Sequence, residues 1–569
     1  MGCGGGLRGS QRETAEQPDQ EPAGSAPWAP IRPRYHGAMA ASLPPSIFND
    51  VVGPVMRGPS SSHSAASVRI ARMARDLAGG QPDRVLVEFD TEGSLATTHD
   101  SQGSDMGLFG GLLGWEADDP RLGESARHLE EAGVGLEIRV ARLDDPHPNT
   151  YRLTLWRGGD EHRLVAISTG GGMIEVTQID GAPVCLRGDY DVTLVELAGD
   201  PAAAAATLAA RPDVDEAAPA GDRMVAVQAA AFLDAEALDG ALDGIGEVRR
   251  VRRMAAVLPV RSRAGMAVPF LHAGEMVETA DPEGRPLSAF ALEYECARGG
   301  IGEEEVMGQM RRILGIVRGG IREGLAGTEY EDRVLPRQSH RFQEQLAAGA
   351  LHDGGVLNQA ILYVTALMEV KSSMGVIVAA PTAGSCATFP ATCVAAAEAM
   401  DADEDRTLRA MLAAGLIGVF VTTRSSFAAE VGGCQAETGA GAAMAAAALV
   451  ELAGGSAATA LGAASHALQN VLGLICDPVA NRVEAPCLGR NITGAANAIA
   501  SSNIALSGFL HLIPLDEVLD AHREVSERMA RELRCTALGG LSVSPTSKAI
   551  EADLARRCGS GGSGGCGSC

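Results

Sequence analysis

Lysine is nearly missing from this 569-residue chain: only Lys371 and Lys548 occur, and arginine supplies every other basic side chain. An enzyme that works through pyridoxal phosphate needs a lysine for its Schiff base. Lys371, in Glu369-Val370-Lys371-Ser372-Ser373, is the one plausible position, and no Gly-rich phosphate cradle stands beside it. Positive charge is short overall, with 47 Lys and Arg against 72 Asp and Glu, a net charge of −25. Such a surface repels phosphate backbones and anionic membranes, so a small-molecule partner is expected, with neither nucleic acid nor membrane. The first 42 residues lack an apolar core, and their arginines are mixed with Glu13, Glu16, Asp19 and Glu21, which argues against signal and transit peptides. A cytoplasmic location is expected. Met1-Gly2-Cys3 hints at acylation, but Gly6 stands where the myristoylation pattern wants Ser or Thr. Long hydrophobic runs are absent too: the stretch 440–475 carries one charge, Glu451, yet it is built of Ala and Gly and broken at Gly454-Gly455. It is too weakly hydrophobic for lipid and predicts close-packed buried helices.

What is present divides into a multidomain chain with ample apolar content, 46%. Residues 1–44, rich in Gly, Pro and charge, are expected to be disordered. Over 45–188, short aliphatic runs such as Val85-Leu86-Val87-Glu88-Phe89 and Arg152-Leu153-Thr154-Leu155-Trp156 accompany a Gly-rich helical stretch from Met106, which predicts an α+β domain. Residues 189–262 read as strand, Ala-rich helix near 201–210, strand, helix near 234–242 and strand, a βαβ-βαβ order that suggests a ferredoxin-like module. A polar linker over 263–299 contains Asp281-Pro282-Glu283-Gly284, and 300–557 has the helical periodicity of an all-α domain. Residues 558–569 form a Gly- and Ser-rich tail bearing Cys566 and Cys569.

The twelve cysteines are scattered through the chain, which suits a reducing compartment and thiolate chemistry better than a disulfide framework. Cys434 follows Gly432-Gly433, Cys476 precedes Asp477-Pro478 and Cys487 follows Pro486. Each therefore sits beside a helix breaker, at a helix end or loop where backbone N–H groups are available. An anionic iron-sulfur cluster needs thiolates among such donors, and three protein ligands would leave one iron open for Lewis-acid work. A buried cysteine is also commonly a small apolar filler. Cys386 and Cys393, spaced for one helical face, are read as packing.

At these residues the sequence is similar to the α-domain of iron-sulfur L-serine dehydratases, through Gly432-Gly433-Cys434-Gln435-Ala436-Glu437, Cys476-Asp477-Pro478 and Ala485-Pro486-Cys487 followed by Arg490-Asn491. The likeness extends to Ala380-Pro381-Thr382-Ala383-Gly384-Ser385. The N-terminal domain resembles the family's β-domain through Gly58-Pro59-Ser60-Ser61-Ser62-His63, His147-Pro148-Asn149-Thr150 and Ser168-Thr169-Gly170-Gly171-Gly172. The resemblance covers about 46–556 and implies a [4Fe-4S] cluster on Cys434, Cys476 and Cys487, conversion of L-serine to pyruvate and ammonia, and an ACT-type middle module. A packing spacer is an equal reading of that module. A homodimer is expected.

A base must take the substrate's Cα proton. His63 and His147 lie in polar, Pro-flanked segments and imidazole titrates in the right range. Typical members carry Gly-His-Gly-Thr-Asp where this chain has Ser101-Gln102-Gly103-Ser104-Asp105. Gln102 exchanges no proton near neutral pH, so either His99 has taken over or the substrate differs from L-serine. Ser60, Ser61 and Ser62 are placed to grip a carboxylate or to cap a helix beginning near Ala65. Thr382, Gly384 and Ser385, with Asn149 and Thr150, are candidates for orienting ammonium and carboxylate, or are ordinary turn residues. Lys371 attracts the carboxylate or bridges helices. Cys566 or Cys569, on a tail reaching about 18 Å, is a candidate displaceable fourth ligand. Two alternatives stay open: the same elimination on L-threonine or L-cysteine, and a non-catalytic amino-acid or oxygen sensor.

Overall fold

Val85, Val87 and Phe89 alternate along the strand Arg84–Asp90 and are all buried on one face of a sheet. The strand pairs in parallel with Gly135–Ala141 and antiparallel with Thr150–Arg157. Asp160–Gly170, Met173–Ile179 and Ala182–Leu186 extend the sheet to six strands. In this computed structural model, which describes residues 44–279, 281–330 and 333–559, the helices Ala66–Leu77 and Ser104–Leu112 cover the buried face. Their close approach requires glycine: a β-carbon at Gly107 would lie 2.0 Å from Ser67 Oγ, and one at Gly111 2.4 Å from Val68 O. The expectations made for residues 1–43, and for Cys566 and Cys569, lie outside the described residues.

The next unit is an antiparallel four-stranded sheet with two helices, Pro201–Ala209 and Ala235–Leu242. Its strands lie in the order Gly246–Met254, Asp191–Gly199, Met224–Ala229, Glu216–Ala220, which is the ferredoxin-like arrangement. One strand more is present than the sequence pattern suggested. Glu216–Ala220 reads Glu-Ala-Ala-Pro-Ala, without apolar alternation, and its Pro219 is tolerated because the strand is at the sheet edge. Val195, Leu197, Val225 and Val227 face the two helices, whereas Val192, Leu194, Ala226 and Met254 join the core of the six-stranded sheet.

The rest is helical. Within the stretch expected as a linker, Leu287–Gly299 is a core helix whose Leu287, Phe290, Ala291 and Tyr294 are buried and which packs on Glu404–Arg424. The polar turn just before it hid that role. At the centre lies Ala440–Leu452, every residue of it buried, ringed by Thr388–Ala399, Glu404–Arg424, Ala457–Gln469 and Cys487–Leu506. Methyl-sized side chains let these backbones come close, as at Gly494, where a β-carbon would lie 2.7 Å from Thr388 Cγ2. Glu451 accepts a hydrogen bond from Ser288 Oγ at 2.6 Å. Glu404–Arg424 is the one described helix long and apolar enough to cross a membrane, and 78% of its apolar window is buried inside the protein.

The first described residues belong to this helical part. Ile47 and Val51 sit on Gly415 and Gly418, and Val55–Met56 pairs with Ile377–Val378. Ser46 Oγ donates to Glu295 Oε1 at 2.5 Å. The sheet-bearing part is thereby stitched to the helices along a seam, and the candidate site lies on it.

Candidate metal centre

Cys434, Cys476 and Cys487 come together, all buried, from three separate stretches of the helical part. The short helix Ala429–Gly432 ends at Gly433, whose φ is +69° and where a β-carbon would meet Met529 Sδ at 2.7 Å and Leu474 O at 2.8 Å. Only glycine fits there. Gln435 then fastens the turn: its Nε2 donates to Ser526 Oγ at 2.7 Å and its Oε1 accepts the Gly473 N–H at 2.8 Å. Cys487 opens the helix Cys487–Leu506, where N–H groups without helical partners and the positive end of the dipole favour a thiolate. One turn later Asn491 donates to Gly384 O and to Cys487 O, both at 2.8 Å, and joins this helix start to the Thr382–Ser385 turn.

Arg490 Nη1 donates to Cys434 Sγ at 3.2 Å, and Arg490 Nη2 donates to Asp477 Oδ1 at 2.5 Å. Hydrogen bonds from the Cys476 and Cys487 thiols, aided by the Arg490 charge, hold Cys434 well below the usual thiol range. The same bonds push Cys476 and Cys487 well above it. Ligand atoms of Cys434, Glu437 and Cys476 lie within 4.8 Å of one another. Desolvation and then the Cys434 charge push the Glu437 carboxyl up to about 8. Sulfur donors around one thiolate, with a guanidinium at hand, suit a soft metal centre.

Hydroxyls and imidazoles arrive from the other side of the seam. The turn Ser61–Ala65 leads into Ala66–Leu77 and buries Ser61, Ser62 and His63. Ser61 Oγ accepts the Ala383 N–H at 3.3 Å, and Ser62 Oγ donates at 2.9 Å to Glu430, four residues ahead of Cys434. Thr382 Oγ1 donates to Glu437 Oε1 at 2.7 Å and accepts the Ser385 N–H at 3.3 Å. At Gly384 a β-carbon would stand 2.7 Å from both Glu437 oxygens. The serine row and the Thr382–Ser385 turn thus form a ring of contacts with the acidic residues on either side of Cys434.

The histidines differ in their bonding. His63 Nδ1 lies 3.0 Å from Ser60 Oγ and its Nε2 2.9 Å from Thr98 Oγ1, and burial pulls its pKa down. His147, also lowered by burial, accepts the Asn149 N–H on Nδ1 at 3.1 Å. Thr150 Oγ1 donates to His147 O at 2.8 Å, and Asn149 Oδ1 accepts from Ser94 Oγ. At His99 burial works downward, but the hydrogen bond to Asp105 at 2.8 Å and the Asp105 charge raise the pKa overall. Gln102 is 2% exposed, and its Nε2 has no hydrogen-bond partner among the described residues. Lys371 is buried and donates to Val483 O. Cys386 and Cys393 are buried in the helical core, and burial pushes both up to about 12. Cys386 precedes the helix Thr388–Ala399, so the two do not share a helical face as their spacing suggested.

Four residues at this centre were overlooked as functional candidates. Glu437, Arg490 and Asp477 stand inside or beside the cysteine motifs, and their charge next to a candidate thiolate was the available signal. Cys535, buried beside Cys476, has neither glycine nor proline adjacent, so a search for cysteines at helix breakers passes over it.

Comparison with known proteins bears directly on this arrangement. The serine dehydratase alpha chain family matches residues 227–542. The L-serine dehydratase alpha chain of Peptoniphilus asaccharolyticus is 38% identical over 283 residues, covering 50% of this chain and 97% of that protein. A probable L-serine dehydratase beta chain of Bacillus subtilis is 41% identical over 150 residues, 26% of this chain and 67% of its own length. The L-serine dehydratase of Streptomyces coelicolor is 28% identical over 499 residues, 85% of this chain and 96% of its own length.

Proposed function

The chain belongs to the serine dehydratase family, and on that premise we propose that it deaminates L-serine to pyruvate and ammonia with a [4Fe-4S] cluster held by Cys434, Cys476 and Cys487. One observation carries the reading: three cysteines from separate stretches meet around a single thiolate, and Ser62, which touches His63, reaches from the other part of the chain to Glu430, close to Cys434 in the sequence. When bound, the cluster supplies a Lewis acid at the iron that these three thiolates leave uncovered.

Among the protein groups, His63 is assigned to the Cα proton. Burial keeps it neutral, and both ring nitrogens meet hydroxyls, which turn to donate or accept as the ring changes protonation. His147 spends its Nδ1 lone pair on the Asn149 N–H, which fixes the proton on Nε2 and makes it a donor. His99 donates to Asp105, and its charge adds to burial in keeping the His63 ring neutral. Thr382 and Ser385 offer hydroxyls to the substrate's polar ends in a turn that Gly384 lets lie close against Glu437, and Ser60, Ser61 and Ser62 position His63 and the seam. Asn149 and Thr150 shape the His147 loop. Lys371 bridges to Val483. The unpaired Gln102 amide is a hydrogen-bond donor available to the substrate carboxylate. The four-stranded module is read as ACT-type from its strand order, with one sheet face already serving as packing against the six-stranded sheet.

Anaerobic purification followed by iron, acid-labile sulfide and pyruvate measurement tests the reading, with serine, threonine and cysteine assayed side by side. Iron and sulfide near four each per chain, and the highest kcat/KM with serine, are expected. Full activity without iron overturns it, and serine binding without pyruvate release would make the protein a sensor.

A further inference from the structure

We infer that Cys535 is a fourth thiolate ligand of the centre formed by Cys434, Cys476 and Cys487. This rests on the cluster reading above and concerns a residue that no motif of the chain singles out. Cys535 is buried in one small core with Ala429, Cys434 and Cys476. Its thiol hydrogen-bonds the Cys476 thiol, so the sulfurs form a chain of contacts from Cys487 through Cys434 and Cys476 to Cys535. The backbone enforces this proximity. Cys476 N–H donates to Leu533 O at 2.9 Å, and Cys535 N–H donates to Cys476 O at 3.0 Å, a parallel bridge that pairs Cys476 with Arg534 and ties the adjacent Cys535 to the Cys476 backbone.

The surrounding segment is held from both ends. Arg534 Nε donates to Met529 O at 2.6 Å, and on the far side Asp477 Oδ2 accepts the Leu541 N–H at 2.7 Å while Ser542 Oγ donates to Pro478 O at 2.7 Å. Asp477 thus ties the Cys535 segment to Arg490, which touches Cys434. Cys535 has φ +60°, a left-handed conformation that a β-carbon disfavours, and yet the position holds a cysteine. Of the other cysteines whose side chains are described, Cys185 is exposed on a strand, and Cys296, Cys386 and Cys393 belong to the helical core or its margin. Ligation needs no oxidant: the Cys535 thiol releases its proton to solvent and its sulfur bonds the iron that the other three leave uncovered. Turnover then requires that bond to open and the sulfur to regain a proton.

The test is Mössbauer spectroscopy of the full chain, loaded anaerobically with iron-57 and free of substrate. Wild type and the Cys566→Ser/Cys569→Ser variant are expected to show four irons in one thiolate environment, and Cys535→Ser one iron in four set apart at unchanged iron and sulfide content. A Cys535→Ser spectrum identical to wild type overturns the assignment, as does a change confined to the tail variant. Should Cys535→Ser fail to fold, wild type decides: iodoacetamide labelling of Cys535, read by peptide mass spectrometry, must rise when a chelator strips the cluster, and labelling indifferent to stripping overturns it. Wild type without iron or sulfide sinks the cluster and Cys535 together, whereas loaded protein with an indifferent Cys535 leaves the cluster standing.

Discussion

The sheet-bearing part fills its interior with Phe89, Tyr151, Leu153 and Leu155, while the helical part fills its centre with the methyl groups of Ala440–Leu452. Alanine has no side-chain rotamers to lose, so the helical part places its backbones close together with little freedom left in them. Its helix ends carry the thiols, which a metal centre needs at fixed positions. The sheet-bearing part contributes a hydroxyl-rich turn around His63, where bonds must rearrange as a proton moves. On the proposed reading, rigid ligands and adaptable proton carriers come from differently packed bodies and meet at the seam.

That division can be broken most severely at the site. Cys487→Ala and His63→Asn are each expected to lower kcat/KM about 10³-fold, but only Cys487→Ala loses iron and sulfide. If His63→Asn also loses them, the division of labour fails. The seam comes next. Burial pushes Glu295 up to about 7 from an ordinary 4.5. The unfolded chain releases that proton from about pH 4.5 and the folded chain only near 7, so its contribution to stability is fully present at acid pH and falls as pH rises through this window, by about 3 kcal/mol in all. Denaturant melts of wild type and Glu295→Gln across pH 4.5 to 8 should show a steeper fall in wild type, with Glu437 and Asp50 contributing equally to both proteins.

Packing sharpens the comparison at smaller energies. Ala446→Leu should cost about 1–3 kcal/mol or more in chemical denaturation, whereas Leu164→Met in the sheet-bearing part should cost less than about 1.5 kcal/mol. Equal losses would mean that the two interiors are not differently built. Gln102→His is expected to have the mildest effect, a change of up to about tenfold in the serine-to-threonine ratio of kcat/KM with stability unmoved. An unchanged ratio would remove Gln102 from the substrate's surroundings.

Much of this was legible along the chain, for identifiable reasons. Val85 to Phe89 and Arg152 to Trp156 alternate and are strands. Helix breakers beside Cys434, Cys476 and Cys487 correctly suggested ends and turns, with Cys487 opening a helix. The edge strand Glu216–Ala220 was invisible because half-exposed alanines carry no alternation, and Leu287–Gly299 was masked by the polar turn ahead of it. Cys535 was illegible for a different reason: its place beside Cys476 comes from backbone hydrogen bonds between distant segments, which leave no mark on its own neighbours.

Ser46 and Ile47 find their carboxylate partner, Glu295, 249 and 248 residues downstream, and Val51 rests on Gly418, further still. A ribosome thus releases Ile47, Phe48 and Val51 long before the helices that cover them exist. Until those helices are made the nascent chain carries an oily strip in need of shelter, and a message cut short before Arg424 yields a product with that strip permanently bare.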